Sequence, residues 1–157
     1  MADKIERRTA ASEIRVEGRK LIGTAMRYGE VSPSHKERFE PGAFRMADVV
    51  LLDVGHDRER AVAWTGAGLD LEDGERELEL AAELPPIPAA DRALEEIRAG
   101  KTTGLSVEFR ARKERRDGEI RVIEEADLIG VGIVQHPSYE GARVEARARK
   151  RRHKAWL

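Results

Sequence analysis

The stretch KTTGLSVEFRARKERRDGEIRVIEEADLIGVGIV, residues 101–134, decides the fold, because two long apolar-rich segments flank the dipeptide Asp117-Gly118. An Asp-Gly pair between such segments is a strong signal for a β-hairpin. The sequence therefore predicts two long antiparallel strands, one over residues 101–113 and the other over residues 119–134.

The position of the turn also predicts which residues face each other. With a loop centred on Asp117-Gly118, paired positions sum to about 235, so Ser106 is expected opposite Ile129, give or take one residue. Side chains alternate along a strand, which places Ser106 and Glu108 on the same face.

The remaining sequence indicates further strands and one or two helices. A closed barrel leaves no exposed strand edge, and the sequence therefore predicts an α+β fold: a mainly antiparallel β-barrel with a few peripheral helices. Alternation of apolar and polar residues, together with Gly and Pro breakers, predicts the following elements: a strand pair over 14–18 and 20–25, a loop over 28–45, a strand or short helix over 47–54, a strand pair over 64–71 and 77–84, and a helix over 91–99.

One serine and one histidine form the candidate catalytic pair. Ser106 follows Gly104-Leu105 in an apolar strand, and His56 lies in a glycine-flanked turn fifty residues earlier. A serine hydroxyl becomes a good nucleophile when a base removes its proton, and histidine is the usual base near neutral pH.

Composition narrows the chemistry. The 157 residues include no cysteine, which excludes disulfides, thiolate metal sites and a cysteine nucleophile. The net charge is −1 and aromatic residues make up 4%, which argues against a nucleic-acid partner. We find no metal-ligand spacing among the four histidines, no phosphate-binding loop, no signal peptide and no apolar run long enough to cross a membrane. The sequence thus predicts a cytoplasmic protein without cofactor or metal.

Six segments, in order, resemble those of the tailed-phage prohead maturation proteases, which are distant relatives of the herpesvirus assemblins. The segments are Gly23-Thr24-Ala25, Phe39-Glu40-Pro41-Gly42-Ala43-Phe44, His56-Asp57, Glu83-Leu84-Pro85, residues 104–109 and residues 128–139. The resemblance implies a herpesvirus-protease-like barrel and a serine endopeptidase with Ser106 as nucleophile and His56 as base. It further implies scaffold and capsid-protein segments as substrates, action inside the immature capsid in the host cell, and self-cleavage. It leaves a homodimer open.

The third catalytic residue departs from the family pattern. The resemblance places a carboxylate at the position of Gly130, where the assemblins have a histidine, and glycine can supply neither. Because Glu108 shares a face with Ser106, we interpret Glu108 as the replacement. Asp127, Glu125 and Asp57 are lesser candidates.

The domain prediction has three parts: a flexible N-terminus (1–13), a protease-like barrel (14–147) and a basic tail (148–157). The tail is interpreted as a solvated segment, a docking segment for an acidic scaffold or nucleic acid, or a self-cleaved piece. Two alternatives to the protease remain: a catalytically silent capsid-assembly or scaffold module that retains the fold, favoured by Gly130, and a small β-barrel that binds nucleic acid, favoured by the tail alone.

Overall fold

The computed structural model describes residues 4–10, 14–101 and 104–135, which form one ten-stranded sheet and one helix. The basic tail, His136 and His153 lie outside the described residues. The helix α1 spans Pro88–Arg98. The strands are β1 (Ile5–Thr9), β2 (Ile14–Glu17), β3 (Lys20–Arg27), β4 (Glu37–Phe39), β5 (Phe44–Val54), β6 (Asp57–Thr65), β7 (Gly68–Asp73), β8 (Glu77–Glu83), β9 (Gly104–Asp117) and β10 (Ile120–Val134).

The sheet is a curled half-barrel in which the strands follow the order β1-β9-β10-β5-β6-β7-β8-β3-β2, with β4 also pairing with β10. Most neighbours are antiparallel, but β4 and β5 run parallel to β10, and β7 runs parallel to β6. The predicted mostly-β architecture is confirmed. The prediction of a closed barrel is wrong, because within the described part of the chain β1 and β2 are the two ends of the strand order.

The central hairpin of β9 and β10 is confirmed, but its predicted register is wrong. Asp117 pairs with Ile120, so the loop is Gly118-Glu119, one residue later than expected. A register shift between Leu128 and Gly130 adds one more residue to β10. Moving the loop by one residue shifts each partner by two positions, and the register shift adds a third, so Gly132, three residues beyond Ile129, lies opposite Ser106.

The two faces of this hairpin have different roles. Leu105, Val107 and Phe109 are fully buried on one face of β9 and join the apolar core. Phe109 packs edge-on against Phe39, with ring centroids 5.0 Å apart. The other face of β9 carries Ser106, so the core side chains fix the strand while leaving this face for polar groups.

Two other predicted elements differ from the structure. The helix begins at Pro88 rather than at residue 91, since proline is well suited to the first turn. It buries small side chains, including Ala90 and Ala93, under the sheet. The strand predicted over residues 64–71 is divided into β6 and β7, because Gly66 adopts a φ of 89° that breaks the extended chain.

Residues 5–9 form β1, although the sequence predicted a flexible segment over residues 1–13. β1 pairs antiparallel with β9 along its whole length. Arg8 donates to both carboxylate oxygens of the buried Glu37, at 2.7 and 3.1 Å, and Arg121 donates to Glu37 and Glu6. These charge-assisted bonds join β1 to β4 and β10, so β1 is part of the folded domain.

Candidate active site

A two-residue turn carries the candidate histidine. Gly55 and His56 connect β5 to β6 and have φ values of 67° and 62°, as in a type I′ turn, with Val54 and Asp57 paired on either side. The backbone N–H of Gly55 donates to the carbonyl of Ile133 at 3.0 Å. This bond fastens the turn to β10 beside Gly132.

The His56 ring lies over Gly132. A Cβ atom at position 132 would lie 2.9 Å from Nδ1 and Cε1 of His56 and 3.0 Å from Nε2. Gly132 pairs directly with Ser106, and side chains on directly opposed residues leave the same face with Cβ positions roughly 5 Å apart. The imidazole and the Ser106 hydroxyl are therefore neighbours on one face of the sheet.

Asp53 completes a row across three strands. It pairs with Gly132 on the side opposite Ser106, so Asp53, Gly132 and Ser106 lie side by side on β5, β10 and β9. The outer two are two strand spacings apart, roughly 10 Å, with the imidazole above the middle position. Asp53 and Ser106 are each 3% exposed. This row places a buried carboxyl group and a buried hydroxyl on opposite sides of one histidine.

Glu108 lies two residues from Ser106 on the same face, as the sequence predicted, and is buried. Its Oε2 accepts from Nε of Arg7 at 3.0 Å, and its Oε1 accepts from Nη2 of Arg58 at 3.4 Å. The position opposite Glu108 is Gly130. Both carboxylate oxygens of Glu108 therefore have arginine partners.

Burial and charge set the protonation of the site. Burial lowers the pKa of His56, and the cations of Arg7 and Arg58 lower it further, against the opposing effect of the Glu108 anion. His56 is therefore neutral near pH 7, the form that can accept a proton. Burial, followed by the Glu108 charge, raises the pKa of Asp53 to about 6, against the opposing effect of the nearby His56 backbone N–H.

Two buried polar atoms at the site have no hydrogen-bond partner among the described residues: Oδ1 of Asp53 and Nε2 of His56. Unsatisfied buried groups are costly, and in native proteins they concentrate where chemistry or binding occurs. Both atoms belong to the row of residues that carries Ser106, which makes this face the candidate site.

The lesser carboxylate candidates are engaged elsewhere. Asp127 accepts from Nε of Arg112 at 2.5 Å, and Glu125 pairs with Arg45 at 3.3 Å. Asp57 is exposed and accepts from the backbone N–H of Glu59.

Asp53 is the site residue that sequence reasoning missed. Its signal is an acidic residue inside the apolar run Val49-Val50-Leu51-Leu52-Asp53-Val54, three positions before the histidine. A charged residue in a buried strand is rare unless it is paired or functional. Among the described residues, no group of three His, Asp or Glu side chains could hold a metal ion, and no helix is long and apolar enough to cross a bilayer.

Comparison with known proteins identifies the family. The family model of the caudovirus prohead serine proteases matches residues 5–155. The chain belongs to this family. The resemblance to prohead proteases is thereby confirmed, while the relation to herpesvirus assemblins stays a prediction.

A solved structure agrees with the fold expected for a prohead protease. The bacteriophage T4 capsid assembly protease gp21 aligns with a TM-score of 0.59 and 13% sequence identity, over 82% of this chain and 96% of that chain. At this identity the likeness shows a shared fold. A search among curated proteins finds no match.

Proposed function

We propose that the chain is a serine endopeptidase that cleaves scaffold and capsid-protein segments as a phage prohead matures. The observation that carries the proposal is the His56 imidazole lying over Gly132, directly opposite Ser106. Membership in the prohead serine protease family supports the reaction type and the site of action, inside the immature capsid in the host cell.

The proposed reaction is acyl transfer through Ser106. As Ser106 Oγ attacks the peptide carbonyl carbon, its proton passes to His56 and the carbonyl π electrons move to the oxygen. When the tetrahedral intermediate collapses, the C–N bond breaks and the imidazolium returns the proton to the leaving amine. Water then attacks the acyl-enzyme, again with His56 as base, and releases the acid and Ser106.

Glu108 remains our proposed third member, in an electrostatic role. Its oxygens are occupied by Arg7 and Arg58, so we propose that it acts on His56 through its charge and not through a hydrogen bond to the imidazole. Its negative charge raises the pKa of His56 and so favours the imidazolium that forms during attack.

An active-site label tests the proposal. A fluorophosphonate probe should attach to Ser106 in the wild-type chain, and Ser106→Ala and His56→Ala should each abolish labelling. Ser34→Ala, which changes a serine in an exposed loop, is the matched control and should be labelled at the wild-type rate. Cleavage of capsid and scaffold proteins should likewise be lost in Ser106→Ala and His56→Ala and retained in Ser34→Ala. Unimpaired cleavage by Ser106→Ala would overturn the assignment of Ser106 as the nucleophile.

A catalytically silent assembly module is the second candidate. It is favoured by Gly130, which stands where the family resemblance implies a carboxylate. The same labelling experiment separates the two, because a silent module would bind capsid proteins without reacting with the probe.

Self-cleavage and a homodimer remain predictions. Mass spectrometry of the purified chain tests self-cleavage, and light scattering tests the homodimer.

A further inference from the structure

We propose that Asp53 is the positioning residue of this site: it holds the His56 turn through the backbone and faces the imidazolium that forms when Ser106 is deprotonated. The inference rests on the proposed function and assigns a role to a carboxylate that was not among the candidates named from sequence.

The backbone contact gives Asp53 a direct hold on the turn. A non-glycine residue at a φ of 62° is in the left-handed region, which L-residues enter at an energetic cost. The Asp53 carboxyl group lies near the backbone N–H of this strained residue, His56, and the N–H favours its ionised form. Because Asp53 belongs to β5 and pairs with Gly132 in β10, the accepting group is fixed by the sheet. The position of the imidazole is thereby tied to the strand that faces Ser106.

The free oxygen of Asp53 distinguishes it from Glu108. Glu108 is held by Arg7 at 2.9 Å and by Arg58 at 3.4 Å, which leaves its charge largely compensated. Asp53 Oδ1 is buried and has no partner among the described residues. An unpaired buried anion gains most from a cation formed beside it. The imidazolium is that cation, so proton transfer from Ser106 satisfies a group that is unsatisfied in the resting site.

The groups around Asp53 determine the pH at which its carboxyl group ionises. Glu108 on β9 faces it and disfavours ionisation, whereas Arg58 on β6, Arg7 on β1 and the His56 N–H favour it. With a pKa of about 6, Asp53 is neutral at about pH 5 and ionised at about pH 7.5. Asparagine matches the neutral carboxyl group in size and retains an acceptor for the N–H. The difference between aspartate and asparagine should therefore depend on pH.

The experiment compares fluorophosphonate labelling rates of the wild type and Asp53→Asn from about pH 5 to about pH 7.5. The control is Asp48→Asn, which changes an exposed aspartate on the same strand. We expect the two rates to agree within about threefold at the low end, and Asp53→Asn to be at least about tenfold slower at the high end. Asp48→Asn should follow the wild type throughout. Should Asp53→Asn fail to fold, Asp53→Ser, a smaller acceptor without charge, gives the same comparison.

A second measurement is independent of reactivity. The pKa of the His56 imidazole, followed by NMR, should fall in Asp53→Asn because an anion beside it is removed. A constant rate ratio across the pH range, a ratio below about two at the high end, or an unchanged His56 pKa overturns the role of Asp53 and leaves the protease proposal standing. Absence of Ser106 labelling in the wild type overturns the protease proposal itself, and with it the inference.

Discussion

The His56 imidazole occupies the space that a side chain at Gly132 would take, since a Cβ there would lie 2.9 Å from two ring atoms. Real Cβ atoms do not approach ring atoms this closely, so glycine at this position is a requirement of the site. The φ of Gly132 is not in the left-handed region, and the requirement is one of space.

Gly132→Ala should therefore displace the imidazole. We expect a loss of about 100-fold in the labelling rate at Ser106, because a shift of about 1 Å in a reacting group has effects of this size. The matched control is Gly74→Ala, in the loop between β7 and β8, whose Cβ would lie 3.5 Å from the Glu77 carbonyl oxygen, an ordinary contact outside the site. Equal rates for the two variants would mean that His56 does not act from the position described.

Glu108→Gln should lower both activity and stability. The charge-assisted bonds to Arg7 and Arg58 are weakened, and with arginines that are about half exposed we expect a cost of about 1–2 kcal/mol in the free energy of unfolding. Loss of the anion also lowers the pKa of His56, which makes the imidazole a weaker base. The labelling rate at neutral pH should therefore fall, while the acid limb of the rate profile moves to lower pH. Glu119→Gln, which breaks the exposed pair with Lys36, is the control. It should change neither the free energy of unfolding nor the labelling rate measurably.

Arg7→Gln should shift the rate profile in the opposite direction. The Arg7 cation lowers the pKa of His56, so its removal raises that pKa, and the neutral base then persists only at higher pH. The acid limb of the labelling rate should therefore move to higher pH, by an amount limited by solvent screening because the arginine is half exposed. Arg15→Gln, which removes an exposed cation paired with Glu17, should leave the profile in place. A downward shift for Arg7→Gln would contradict the electrostatic description.

Local patterns in the sequence predict the strands and the helix, but not the register in which the strands pair. The β9–β10 hairpin, the β2–β3 pair and the helix follow from turn residues and periodicity, which act over a few residues. The Ser106 partner was misplaced because the loop begins one residue later and β10 contains a register shift, and neither has a sequence signal of its own. Small local shifts accumulate along a long hairpin.

The candidate site shows the same limit. Ser106, His56 and Glu108 could be proposed as site residues from sequence and resemblance, because each lies in a recognisable segment. Asp53 could not, since its position beside Gly132 depends on β5 running parallel to β10, a contact between residues nearly eighty positions apart. The fold of β1 onto β9 was missed for the same reason, as its partners Glu37 and Arg121 are distant in sequence.

The last prediction concerns how far the ionised Asp53 carboxylate destabilises the folded state. Its pKa rises from 3.8 to about 6 on folding, so the native state binds the proton more tightly than the unfolded chain. The stabilisation from the protonated form is fully present below about pH 4 and is lost as the pH rises through about 6. A shift of about two pKa units corresponds to about 3 kcal/mol. Asp53→Asn does not titrate, so relative to the wild type its free energy of unfolding should increase by about 2–3 kcal/mol between about pH 4 and pH 7.5.

Chemical denaturation of both chains at the two pH values measures this difference. A variant that gains stability at pH 7.5 while losing reactivity at Ser106 would show that the buried carboxylate is retained for function, as expected where stability and activity oppose each other. A difference that stays constant with pH would mean that the pKa of Asp53 is the same in the folded and unfolded chains, and would contradict the raised pKa of this buried carboxyl group.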